Sequence, residues 1–207
     1  MCARSYSMEK RGVSRAETRR RILEAARRSL AEGGNTDLGL DAIARSAGVS
    51  RLTVYNHFRS RAGLLEALYD YLAARGNVPR AMEALRTRDP AARLAGLVRA
   101  LAHLWSSDPV AIRRLHAMAA LDAEIARGLG AREARRRRAV GRIVRSLALA
   151  GRHPQGRWRY HLVADTLCAL ASFETYDALA RARHGREDII AVVTHLAQSV
   201  LASYQSS

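Results

Sequence analysis

Apolar positions along the chain recur three and four residues apart, the spacing of one buried helix face. Ile22, Leu23, Ala26 and Leu30 form the first such stripe, and Ser14 followed by Glu17 reads as a capping box ahead of it. Gly33 and Gly34 are placed to end that helix. A short helical piece at Leu40 to Ala47 follows, then Gly48-Val49-Ser50, then a second short piece at Arg51 to Phe58. Ser60 can cap a fourth helix to about Arg75, with Leu64, Leu65, Leu68 and Leu72 on one face. Gly76-Asn77-Val78-Pro79 interrupts the pattern, and the domain boundary is expected there.

Beyond the break, Asp89-Pro90 and Asp108-Pro109 each read as an N-cap followed by proline at the first helical position. The first opens a helix with Leu94, Leu97, Val98, Leu101, Leu104 and Trp105 on one face, and the second a short helix to about Met118. A long helix is expected within 120–150, a loop from Gly151 to Gly156, and two final helices at about 157–180 and 187–204. No alternating strand pattern and no internal repeat interrupts this series. The expected fold class is all-α.

Composition agrees and adds a charge. Of 207 residues 39 are alanine and only 5% are aromatic, which favours closely packed helices. No apolar run approaches the length of a membrane span, and residues 1–30 lack the apolar core of a secretion signal. With only Cys2 and Cys168, a disulfide framework is not expected, and a cytoplasmic location follows. The formal net charge of +16 points to a polyanion. It lies in two blocks: 13 basic and 6 acidic side chains in residues 1–61, and 11 basic and 1 acidic in residues 127–159.

In the first block, residues 40–58 form two short helices joined by a three-residue turn, a helix-turn-helix. Ile43, Val49, Val54 and Phe58 supply its core, and Ser50 caps the second helix. The exposed side of that helix offers Arg51, Leu52, Thr53, Tyr55, Asn56 and His57. Arg51 suits guanine or phosphate, and Asn56 suits the adenine edge. Leu52, one turn before Asn56, suits a thymine methyl, and the hydroxyls of Thr53 and Tyr55 suit phosphate oxygens. Taken singly, each could equally pack, cap or face solvent; together they favour DNA.

These residues resemble a known signature. Ala47-Gly48-Val49-Ser50, Thr53-Val54-Tyr55, His57-Phe58 and Ser60-Arg61, with Ile22-Leu23-Glu24-Ala25-Ala26 upstream, are similar to the TetR family of bacterial transcriptional regulators. The resemblance covers roughly residues 15–70. It implies a homodimer whose N-terminal three-helix domains read a palindromic operator in double-stranded DNA, and a C-terminal helical domain that binds a small-molecule effector. By position, Ser50, Thr53, Tyr55, His57 and Arg61 would contact phosphate, while Arg51, Leu52 and Asn56 would face the bases. Leu52 stands where a small residue is usual, Gly39 replaces a hydroxyl cap, and Arg61 replaces a lysine. The expected organisation is an arm at 1–14, a DNA-binding domain at 15–75 and an effector and dimerisation domain at 76–207.

In the second block, Arg135, Arg138, Arg142 and Arg145 share one helix face, opposite Val140, Ile143, Val144 and Leu147. A solvated basic face is the plain reading, and an anion site or secondary DNA contact the sharper one. Arg136 falls on the apolar stripe one turn after Glu133, either paired with it or projecting toward an anionic ligand. Candidate effector-lining residues are Leu101, Trp105, His116, His161, Asp165 and Phe173, with Leu97, Leu121 and Cys168 beside them; ordinary core is the competing reading for Trp105 and Phe173, and a surface pair for His161 and Asp165. His161 and Asp165, one turn apart, are placed to hydrogen-bond each other. The last two helices carry enough apolar surface for a four-helix bundle between two copies.

No tight ligand cluster for a metal, no nucleophile–base pair and no phosphate loop is visible, so neither a metal, a cofactor nor an enzyme is expected. The expected function is a ligand-responsive, homodimeric repressor. An activator or a less specific architectural DNA-binding protein is the alternative.

Overall fold

The computed structural model describes residues 3–32, 38–83, 86–149 and 157–203. It contains eleven helices over these residues: α1 Ala3–Glu32, α2 Leu40–Ala47, α3 Arg51–Phe58, α4 Arg61–Arg75, α5 Val78–Glu83, α6 Pro90–Ser107, α7 Pro109–Met118, α8 Ala123–Leu149, α9 Arg157–Leu170, α10 Phe173–Arg181 and α11 Arg186–Ser203. No strand occurs among the described residues. No helix among them is long and apolar enough to cross a membrane.

The chain divides into two compact units, Met1–Tyr71 with Val110–Gly128, and Leu72–Pro109 with Leu129–Ser207. In the first, α1 packs on α2 and α2 on α3. Ile22, Ala25, Ala26, Leu30, Ile43, Val54 and Leu64 are sealed from solvent there. Residues 110–128 belong to this unit, a departure from a linear division near residue 76. A tertiary contact accompanies this: Arg114 of α7 donates to the Leu30 carbonyl at 2.6 Å, and Ala111, Ile112, Leu115 and Ile125 are buried.

Three helix boundaries differ from the pattern in the sequence. α1 begins at Ala3, so Ser14 lies inside it, where its carbonyl accepts from Thr18 Oγ1 at 2.9 Å. The pair Gly33-Gly34 and the loop 151–156 fall outside the described residues. After the turn at Gly76 and Asn77, Val78 and Pro79 open a short helix, α5, that packs on α6. The expected single helix at 157–180 is two helices. Ser172 takes an extended backbone, and its hydroxyl accepts from Thr175 N at 3.2 Å, capping α10.

In the second unit, Leu94 and Leu97 of α6 meet Val140, Ile143 and Val144 of α8, and Val163, Leu167 and Cys168 of α9. A second cluster joins Val98 and Ala102 of α6, Tyr176 of α10, and Ile189, Ile190 and Val193 of α11. Asp89 caps α6 as expected, accepting from Ala91 N and Ala92 N at 3.1 Å each.

Two glycines fix the geometry around α3. Gly48 ends α2 at φ 64°, ψ 41°, with Gly48 N donating to Arg45 O and Val49 N to Ala44 O. This is a Schellman closure, which needs a left-handed residue. Gly63 lets the start of α4 touch the end of α3, since a Cβ there would lie 2.1 Å from the Phe58 carbonyl oxygen. Gly48→Ala is expected to lower unfolding stability by about 1–2 kcal/mol. Gly63→Ala should also destabilise, because backbone must move to admit a methyl group. Urea unfolding followed by circular dichroism checks both, and an unchanged midpoint for either contradicts the packing described.

Candidate nucleic-acid interface and ligand cavity

α3 is short, and among its eight residues only Val54 and Phe58 are buried. Arg51, Leu52, Tyr55 and Asn56 are exposed, and Thr53 and His57 are half-buried. Ser50 starts the helix: its Oγ accepts from Thr53 N at 3.1 Å and lies 2.8 Å from Thr53 Oγ1. Leu52 is 65% exposed and Tyr55 47% exposed, unusual for large apolar groups. Asn56 is exposed beside them. Arg51 donates to Asp41 of α2 at 2.8 Å, an open surface pair that a stronger acceptor can break.

α1 contributes side chains the sequence pattern did not single out. Arg19 lies over the Phe58 ring, 4.5 Å from its centroid, and donates to the His57 carbonyl at 3.2 Å. Arg15, Ala16, Arg19 and His57 line one open groove. Burial and then the charges of Arg15 and Arg19 lower the His57 pKa, which favours the neutral ring at pH 7. The available signal was the four-residue spacing of Arg15 and Arg19, which puts both on one side of α1.

Arg61, expected on phosphate, is engaged by carboxylates of its own chain. Its guanidinium donates to Asp122 Oδ2 at 2.6 Å, Asp122 Oδ1 at 3.3 Å and Glu124 Oε2 at 2.7 Å. Two carboxylates thus face one partly exposed guanidinium. Asp122 is also the cap of α8, accepting from Glu124 N at 2.9 Å and Ile125 N at 3.1 Å.

In the second unit, a cavity of about 10 Å³ lies between α6, α10 and α11, lined in part by Leu101, Trp105, Tyr176 and Val193. That is space for no more than a water molecule. Phe173 stacks edge-on against Trp105, 5.7 Å between centroids. Leu101, Trp105 and Phe173 are thus brought together. The other expected lining residues are not at this cavity. His161 is exposed against the Tyr160 ring, and Asp165 lies 2.5 Å from Arg137 at an angle poor for hydrogen bonding. The expected His161–Asp165 hydrogen bond is therefore replaced by an ion pair. His116 belongs to the other unit, as does Leu121, which is 95% exposed. Among the described residues no group of His, Cys, Asp or Glu is arranged to hold a metal ion.

Comparison with known proteins gives this geometry a relationship. The family model for bacterial regulatory proteins, tetR family, matches residues 22–68, which run from α1 into α4. Residues 22–68 are thus similar to the TetR family of bacterial regulatory proteins. The HTH-type transcriptional regulator SrpR of Pseudomonas putida is 49% identical over 59 residues, 28% of this chain and 26% of that protein. TtgR of Pseudomonas putida, also an HTH-type transcriptional regulator, is 40% identical over 75 residues, 36% of each chain. The match thus spans only about a quarter to a third of the length of these relatives. A TetR transcription regulator from Haloarcula marismortui shares the fold at a TM-score of 0.66, with 20% identity over 91% of this chain and 98% of that one. Salmonella enterica GusR does so at 0.62, with 19% identity over 90% and 96%.

The Arg61 cluster predicts an acid-sensitive contribution to stability. Arg61 first, and then the amides of Ile125 and Glu124, hold the Asp122 carboxyl below its ordinary range against the opposing effect of burial. A depressed folded-state pKa stabilises fully above the unfolded value of about 3.9 and is lost as pH falls through the folded one. Asp122→Asn keeps a capping side chain and removes the charge, and should cost about 1–2 kcal/mol at pH 7. The gap from the parent should narrow as pH falls below the ordinary aspartate range and through the lowered folded-state pKa. Denaturant titrations across pH check it, and a gap that persists in acid contradicts it.

Proposed function

We propose that the chain is a homodimeric DNA-binding regulator of transcription, a repressor that holds a palindromic operator and releases it on binding a small molecule. The observation that carries this reading is α3, which exposes Arg51, Leu52, Tyr55 and Asn56 around a two-residue buried edge. Arg51, Leu52 and Asn56 are assigned to base edges. Ser50, Thr53, Tyr55 and His57 are assigned to phosphate, joined by Arg15 and Arg19 in the place of Arg61.

The two-copy arrangement is supported by α9 and α11. Leu162 is 45% exposed, and Val192 and Leu196 are 42% and 44% exposed. A second copy covering these side chains makes a four-helix bundle across a two-fold axis. For the response, α4 and α8 each run from one compact unit into the other. An effector that prefers one arrangement of the second unit shifts the pair of reading helices off operator spacing, by no more than its differential affinity for the two states.

Selection of bound DNA, followed by point variants, tests the assignment. Asn56→Ala should relax preference at one base position, a loss of about 1–3 kcal/mol against the wrong bases. Tyr55→Phe should weaken binding to all sequences alike. A uniform loss for Asn56→Ala contradicts the base-reading role. A reporter placed behind the selected operator separates repression from activation.

A further inference from the structure

Arg136 is a cation without a good partner. It sits on α8 among the apolar positions, with its side chain 14% exposed. Its contact with a carboxylate is Glu133 Oε1 at 3.8 Å, too long for a hydrogen bond, and Glu133 is itself 68% exposed to competing water. The Nε atom is buried with no hydrogen-bond partner among the described residues. Arg137, the next residue, is taken up by Asp165 of α9. A largely buried guanidinium with an unsatisfied Nε weakens the fold unless something else satisfies it.

What the guanidinium does meet is Trp105, lying over its ring 5.9 Å from the centroid. Trp105 also forms the wall of the small apolar cavity between α6, α10 and α11. The indole Nε1 donates to the Ala171 carbonyl at 3.4 Å, and Phe173 packs edge-on against the ring. One side chain thus separates an unmatched cation from an apolar space.

We propose that Arg136 anchors the acid group of an amphipathic carboxylate effector, whose apolar body enters the Trp105 cavity once the indole turns aside. This deepens the ligand response proposed above and rests on it. A single unmatched guanidinium suits a single negative charge, and its fork fits a carboxylate with two parallel hydrogen bonds. The lining beyond Trp105, with Val98, Leu101, Ile189 and Val193, suits an alkyl or aryl body.

The test uses calorimetry on the full chain with matched acids and amides: octanoate against octanamide, benzoate against benzamide. The acids should bind about ten- to a hundred-fold more tightly. Arg136→Met should bring acid affinity down to that of the amide, and Arg136→Lys should keep part of the preference. Without ligand, Arg136→Met should unfold at the parent's temperature or above it, since it removes an unmatched buried charge, and should still retain DNA. If Arg136→Met and Glu133→Gln both lower the unfolding temperature to a similar degree, Arg136 is a member of a structural ion pair and the proposal falls. Equal binding of acid and amide also overturns it. The same probes are then tried for operator release beside neutral and cationic compounds. Release by those alone overturns only the acid anchor, and release by no compound of any class overturns the ligand response as well.

Discussion

The positioning of α3 rests on a left-handed turn. Gly48 at φ 64° closes α2 and passes the chain to Ser50, which opens α3 only two residues later. Arg21 of α1 braces the same corner, donating to the Ala47 carbonyl at 2.8 Å. With so short a connection, α3 can bury Val54 and Phe58 in just one orientation, and its remaining side chains are turned outward together. Gly63 then lets α4 start against the Phe58 carbonyl, so the far end of α3 is held as firmly as the near end. The exposed Leu52 and Tyr55 follow from that constraint rather than from any preference of their own.

Local chemistry explains which parts of this were legible in the sequence. The α2–α3 corner was readable because glycine in the left-handed region and serine at an N-cap each act through neighbours a few residues away. Asp89-Pro90 was readable for the same reason. The split between α9 and α10 also has a local signal, Ser172 three residues before Thr175, but continuous apolar spacing on both sides concealed it. The Arg61 cluster could not be read at all. Its partners, Asp122 and Glu124, lie about sixty residues away in sequence and meet it only through folding. The same applies to Asp165, whose tertiary partner Arg137 displaces the sequence neighbour His161.

Charge is divided by what surrounds it, not by where it is most abundant. The basic face of α8 presents Arg138, Arg142 and Arg145 to solvent, in keeping with a solvated surface. Arg15 and Arg19, fewer in number, border α3 and gain a role from that placement. Arg61 is paired with two carboxylates, and Arg136 is largely buried with an ion contact at 3.8 Å. Counting arginines therefore says little about function here, whereas asking what each guanidinium can donate to separates surface, scaffold and candidate site.

The central claim is that α3 reads a defined DNA sequence. Selection of bound duplexes from a random pool, followed by competition against random DNA at fixed salt, measures this directly. A sequence-reading dimer enriches two inverted half-sites and binds them at least about 10³-fold more tightly than random DNA. Competition by random DNA on equal terms, with no enriched sequence, would contradict it.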